Sequence, residues 1–154
     1  DNNPNQRSWS FEISPGVWEV NKTKQQLDDF FYNEIFKKFS SKDIYVIGFS
    51  QGALICYDYV LLFNKPMGGI FPIAGFFRDY KTEMTRIHSN QLQTPIIIGH
   101  GKRDEIINIK ISQNIYNILK QQGANVELIE YNGGHKISIQ YLKKIETVIH
   151  EKSS

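Results

Sequence analysis

The residues in this sequence able to do covalent chemistry fall in one short segment and two later loops. Gly48-Phe49-Ser50-Gln51-Gly52 sets a serine between glycines two positions away on either side. A serine hydroxyl is a weak nucleophile until a base removes its proton, and an imidazole acting as that base needs a carboxylate to hold its tautomer and stabilise its charged form. Asp104 and His135 supply these types downstream, the three residues standing 54 and 31 positions apart. Serine, acid, histidine is the order found where such a triad is mounted on alternating strands and helices. The chemistry indicated is attack of the Ser50 hydroxyl on an acyl carbonyl, with His135 as base and Asp104 orienting it. The glycines have their own reason: a nucleophile on a tight strand-to-helix turn needs neighbours without side chains, and Gly48 and Gly52 are read as supplying that space. The competing reading of the segment is a structural turn.

Each partner has rivals. Asp104 leaves a strand through Gly99-His100-Gly101-Lys102-Arg103, where an acid could equally cap a helix beginning near Ile107, and Glu105 and Asp79 are alternative acids. His135 follows Tyr131-Asn132-Gly133-Gly134, a loop able to carry an imidazole toward Ser50, although a lone loop histidine is commonly a solvated one. His88 and His150 lie in polar stretches and read as surface residues, while His100 reads as support for the loop carrying Asp104. No histidine suggests a metal site.

These residues need a scaffold that brings three strand ends together. Ile44 to Phe49 is a nearly continuous apolar run, as expected of a strand buried on both faces, and Gln51 to Phe63 reads as a helix, so strand turns into helix at Ser50. Further strands are expected at Gly69–Ala74, Pro95–Gly99 and Asn125–Tyr131. Helices are expected at Ile107–Gln122, closed by Gly123, and at Ile137–His150. Toward the N-terminus, Ser8–Ile13 reads as a strand ending at Ser14-Pro15-Gly16. From Thr23, apolar residues at Leu27, Phe30, Phe31, Ile35, Phe36 and Phe39 recur at helical spacing, with Thr23 and Gln26 forming a capping box. The alternation implies an α/β fold: a mostly parallel sheet with helices on both faces and a ligand site at the carboxyl ends of the strands.

The 154 residues, 40% apolar and 22% charged, suit a single domain spanning residues 1–154. A net charge of +2, with basic and acidic residues interspersed, argues against a nucleic-acid partner. No apolar run reaches membrane-spanning length, and no cofactor is called for. The single Cys56 sits in an apolar pattern, reads as a small buried hydrophobe and fits a reducing, cytoplasmic setting.

Taken together, Gly48-Phe49-Ser50-Gln51-Gly52, the segment Pro95 to Gly101 with Asp104, and Tyr131 to His135 resemble the phospholipase/carboxylesterase family of α/β-hydrolases, which includes the acyl-protein thioesterases. Arg7 to Phe11 resembles the tryptophan-containing strand of that family, so the likeness runs from near residue 7 to near residue 145. It implies a metal-independent hydrolase of carboxylic esters or thioesters with Ser50 as nucleophile, His135 as base, Asp104 as acid and the Gln51 N–H as an oxyanion donor. Substrates would be small esters or thioesters, including acyl-lipids and acylated proteins. Phe76, Phe77 and Tyr80, just after a strand, are candidates for an apolar acyl pocket, with core packing as the alternative.

Two departures from the family pattern stand out. Ala53 replaces a second glycine after the elbow, and the additional N-terminal strands, with the His-Gly loop donating the second oxyanion N–H, have no counterpart before Arg7. On this reading the domain is partial, and the loss of one donor costs about 10²–10³ in turnover. An open apolar sheet edge would also invite association, including homo-oligomers. The contrasting expectations are a fragment that needs its missing segment or a partner chain, and a silent hydrolase-fold binding module.

Overall fold

The computed structural model of the chain describes residues 8–9, 11–14, 17–19, 21–76 and 86–153. Two compact units make up the chain, Asp1–Ser40 and Ser41–Ser154.

In the first unit, β1 (Phe11–Ser14) pairs antiparallel with β2 (Val17–Glu19), with Phe11 opposite Glu19 and Glu12 opposite Trp18. Only the first strand was expected from the alternation of residue types. A helical run follows: α1 (Asn21–Asp28), a π-helical stretch over Asp29–Ile35, and α2 (Phe36–Lys38). The capping box does not form. The helix begins at Asn21, so Thr23 lies inside its first turn and its hydroxyl donates to the Trp9 carbonyl. The apolar stripe is only partly buried: Leu27 and Phe31 are inside, whereas Phe30 and Phe39 are exposed. π-Helical winding closes i→i+5 bonds, so the α-helical period that aligned these side chains is lost within the stretch.

The second unit carries a four-stranded parallel sheet in the order β3 (Tyr45–Phe49), β4 (Gly69–Ile73), β5 (Ile96–Gly101) and β6 (Val126–Tyr131). Its register runs Ile47 to Phe71, Ile73 to Gly99 and Gly99 to Ile129 across neighbouring strands. Both central strands, β4 and β5, are buried at every position, as parallel strands covered on both faces must be. At the edge, β3 leaves Ile47 51% exposed.

Side chains alternate between the faces. Phe71, Ile73, Ile97 and Tyr131 meet Tyr141 and Ile145 of α5 (Ile139–Ser153), and the Tyr141 hydroxyl donates to the Ile97 carbonyl at 2.6 Å. The opposite face receives α3 (Gln51–Asp58) against β3 and β4, and α4 (Ile109–Gln121) against β5 and β6. Helix α3 is shorter than its sequence pattern, giving way at Tyr59 to a 3₁₀ turn over Val60–Leu62. Helix α4 starts at Ile109 with Asn108 as N-cap, its carboxamide oxygen accepting the Lys110 N–H at 3.0 Å. It ends as expected, with Gly123 at φ 81°. Among the described residues no helix is long and apolar enough to cross a membrane.

Candidate active site

Ser50 sits at the junction of β3 and α3 with φ 53° and ψ −112°. Non-glycine residues avoid this left-handed backbone conformation, which carries a cost of about 1–3 kcal/mol. The Ser50 N–H donates to the Ile73 carbonyl at 2.8 Å, which ties the elbow to β4. Serine is a favoured N-cap, yet this hydroxyl makes no capping bond to α3. Instead Oγ lies 3.0 Å from His135 Nε2.

Space for the turn comes from Gly48. A Cβ there would fall 2.3 Å from the Gly52 carbonyl oxygen and 2.8 Å from the Ala53 nitrogen. Gly52 corrects the sequence reading: no described atom lies within 4 Å of the Cβ it would carry, so it supplies no needed clearance. Ala53 is accommodated by a third glycine, since a Cβ on Gly75 would come 2.4 Å from the Ala53 methyl.

The acid and base loops are laced together by backbone. Lys102 N–H donates to the Tyr131 carbonyl at 2.9 Å and Arg103 N–H to the Gly133 carbonyl at 2.8 Å. Their approach is close enough that a Cβ on Gly101 would lie 2.4 Å from Gly133 O and 2.3 Å from Gly134 O. The Tyr131 hydroxyl reaches across its own loop to the Lys136 carbonyl at 2.5 Å, and burial, with Asp104 adding, pushes that phenol up to about 12. His135 therefore projects from a loop braced at both ends. Phe49, the residue before the serine, packs its ring against the imidazole with centroids 4.8 Å apart.

Asp104 divides its two oxygens between structure and chemistry. Oδ1 accepts the N–H groups of Ile106 and Ile107, both at 2.9 Å, while Oδ2 lies 2.8 Å from His135 Nδ1. Burial by itself would raise this carboxyl. The Ile107 N–H, His135 and the Ile106 N–H outweigh it and hold the group below its ordinary value. The two readings of Asp104 drawn from sequence thus describe different oxygens of one side chain, although α4 itself takes its cap from Asn108. Glu105, the rival acid next door, is exposed.

Ser50, His135 and Asp104 consequently form one continuous hydrogen-bonded line. In the orientation that line requires, His135 Nδ1–H donates to Asp104 and Nε2 accepts from Ser50, which is the arrangement that lets an imidazole take a hydroxyl proton while a carboxylate stabilises the resulting cation. The Asp104 side chain is fully buried and that of His135 is 19% exposed, so the base faces outward from a dry support.

The remaining candidates separate. Gln51 is the first residue of α3, directly after Ser50, so its backbone N–H stands at the positive end of that helix. Phe76 is half-buried just past β4, whereas Phe77, Asp79 and Tyr80 lie outside the described residues. His150 is exposed, while His88 is half-buried and its Nδ1 accepts the Asn90 N–H at 3.1 Å, so it holds a 3₁₀ turn. Cys56 is fully buried and burial pushes its thiol up to about 12, which makes it inert as a nucleophile. Among the described residues no group of three or more His, Cys, Asp or Glu side chains is arranged to hold a metal ion.

The contributions of Phe49, Gly101 and Tyr131 were not drawn from the sequence. Gly101 had a legible signal, a glycine two residues after an apolar strand and just ahead of the acid. Phe49 and Tyr131 had none, because an aromatic in an apolar strand reads as core.

Comparison with known proteins agrees with this architecture. The carboxylesterase SOBER1 of Arabidopsis thaliana is 29% identical over 120 residues, 77% of this chain and 53% of that one. Its crystal structure superposes with a TM-score of 0.78 over 96% of this chain and 75% of that chain, at 25% identity. A probable inactive carboxylesterase of Oryza sativa is 26% identical over 86% of this chain and 56% of its own. Acyl-protein thioesterase 1 of Neurospora crassa is 27% identical over 80% of this chain and 52% of its own. The chain spans about half the length of the curated relatives it matches. The fold is that of the α/β-hydrolase carboxylesterases. Since the model of the Phospholipase/Carboxylesterase family matches residues 7–153, the chain belongs to that family.

Proposed function

We propose that the chain is a serine hydrolase of carboxylic esters or thioesters that works through an acyl-enzyme on Ser50. The observation carrying this reading is the unbroken line from Ser50 Oγ to His135 Nε2, at 3.0 Å, and from His135 Nδ1 to Asp104 Oδ2, at 2.8 Å. His135 takes the Ser50 proton as Oγ attacks the acyl carbonyl, and Asp104 stabilises the imidazolium. The imidazolium then protonates the departing alkoxide or thiolate. Water, deprotonated by the same His135, attacks the acyl carbon; the bond to Ser50 Oγ breaks as the imidazolium returns its proton to that oxygen, releasing the carboxylic acid. The negative charge that develops on the carbonyl oxygen is met by the Gln51 N–H at the start of α3. Phe76 lines the acyl side of the site, favouring apolar acyl groups such as those of acyl-lipids or acylated proteins.

Treatment with a fluorophosphonate followed by intact-mass spectrometry tests the reading. A single adduct that is absent from the Ser50→Ala chain supports it. Absence of adduct on a folded chain overturns it and favours a second reading, a binding module that keeps the fold without the chemistry, a possibility the relative named as probably inactive brings into view. Among labelled chains, a series of p-nitrophenyl esters and matched thioesters of rising acyl length tests Phe76: no preference for longer chains, and no change on Phe76→Ala, would remove it from the acyl side.

A further inference from the structure

His100 is fully buried near the end of β5, on the face of the sheet that carries α4, and takes no part in the proton path from Ser50 to Asp104. Both of its ring nitrogens are engaged. Nδ1 lies 2.7 Å from Ser112 Oγ, and Nε2 lies 2.9 Å from the Ile107 carbonyl oxygen and 3.3 Å from Asp104 Oδ2. A carbonyl oxygen only accepts, so Nε2 bears the hydrogen. In the Nε2–H tautomer Nδ1 is the acceptor, and the Ser112 hydroxyl on α4 donates to it, which locks that tautomer from behind.

Ile107 is gripped on both sides as a result. Its N–H donates to Asp104 Oδ1 while its carbonyl accepts from His100. The turn that fixes one carboxylate oxygen of Asp104 is therefore itself pinned by His100, and the hydrogen-bearing edge of the same ring stands beside the other oxygen, the one that meets His135. Gly99 and Gly101 on either side of His100 are both places of close approach: a Cβ on the first would strike the Tyr141 ring at 2.6 Å and on the second the loop that carries His135. The imidazole itself lies on the α4 side of the sheet, between Ser112 and the turn that carries Asp104 and Ile107.

Resting on the reading of Asp104 as the partner of His135, we propose that His100 is a positioning residue of the site. Through the Ile107 peptide and its own Nε2–H edge it holds the Asp104 carboxylate in the rotamer that meets His135, with Ser112 holding His100 in the competent tautomer. A histidine that served only the core would cost stability on removal and leave the Asp104–His135 bond as it was.

The experiment uses the chain as it stands with His100→Leu, His100→Gln and Ser112→Ala. The first readout is the low-field proton resonance of His135 Nδ1–H, identified by its loss in His135→Ala and measurable whether or not Ser50 reacts. The second is the rate of fluorophosphonate labelling per folded molecule, separated into reagent affinity and maximal rate. His100→Leu is expected to move or broaden the resonance and to lower the maximal labelling rate by about ten- to a hundredfold with affinity unchanged, since a misplaced partner acts on the reacting geometry and not on binding. His100→Gln, whose amide N–H reaches the place of Nε2, is expected to recover both. An unaltered resonance and rate in His100→Leu, or a His100→Gln chain no better than His100→Leu, overturns the proposal. Where His100→Leu fails to fold, Ser112→Ala decides the matter, because it takes away the hydroxyl that holds Nδ1 while leaving the His100 ring in place: a resonance and rate equal to the parent overturn the proposal. A parent chain that shows the resonance but takes no label counts against the hydrolase reading alone, and the resonance still tests His100.

Discussion

Replacing each glycine of the Ser50 segment by alanine should have opposite effects. In Gly48→Ala the new methyl would lie 2.3 Å from Gly52 O, 2.5 Å from Gly52 C and 2.8 Å from Ala53 N. All three are backbone atoms of the first turn of α3 and cannot rotate away. Reaching an ordinary contact requires the turn to retreat from β3 by about 1 Å, and forced overpacking of this kind costs about 2–3 kcal/mol. For a chain of this length that corresponds to a fall in Tm of about 5–10 °C. The retreat carries Ser50 Oγ from its 3.0 Å contact with His135 Nε2, and a displacement of about 1 Å in a reacting group lowers the rate about 10²-fold. Gly52→Ala meets no described atom within 4 Å and keeps an ordinary φ, so the helix propensity of alanine should add about 0.5–1 kcal/mol and raise Tm by about 2 °C, with labelling little changed. Thermal unfolding and fluorophosphonate labelling rates on the two variants check both halves. A Gly52→Ala chain destabilised as far as Gly48→Ala would refute the reasoning, because the clearance would then belong to both glycines.

Three further outcomes are expected. Gly101→Ala should slow labelling about 10²-fold, because its methyl displaces the Gly133 and Gly134 backbone and with it His135; a labelling rate equal to the parent would show that this loop carries no such constraint. Asp104 is held below its ordinary 3.8 in the folded chain, so the stability it contributes is complete above that value and is lost as pH falls through the lower folded value. Asp104→Asn should thus lower Tm at neutral pH with a gap from the parent that closes in acid, and a gap constant across a pH series of melting curves counts against the assignment. Tyr141→Phe removes the hydrogen bond to Ile97 O that joins α5 to β5. That loss of about 1–2 kcal/mol should be readable as a lower Tm, with the Ser50 labelling rate of the folded chain retained.

Much of this molecule was written in local sequence. The apolar runs that became β3 to β6, the helical spacing of α4 and the left-handed glycine that ends it depend on neighbours a few positions away, so periodicity and residue type suffice to place them. The order Ser50, Asp104, His135, each after a strand, was legible for the same reason: a parallel sheet delivers its strand ends to one side whatever the loops do. The N-terminal run resisted, because a π-helical stretch breaks the period on which the prediction stood, and the capping residue Thr23 was taken up by the Trp9 carbonyl.

Tertiary structure decided what no spacing encodes, namely which groups meet across the fold. Gly48 and Gly52 are equivalent in the motif, yet among the described residues only Gly48 has another backbone within reach of its Cβ. Asp104 could cap or catalyse, and the folded chain gives one oxygen to each task. Phe49 and Tyr131 look like ordinary strand residues until the sheet brings an imidazole and a loop carbonyl to them, and His100, legible as support for the Asp104 loop, acquires its particular partners only in the fold. Sequence by itself determined which chemistry was available, because residue type sets pKa, nucleophilicity and backbone freedom. Only the folded chain decided which atoms stand about 3 Å apart, because hydrogen bonding and steric exclusion change over fractions of an ångström. Those atoms belong to residues as many as 85 positions apart in the chain.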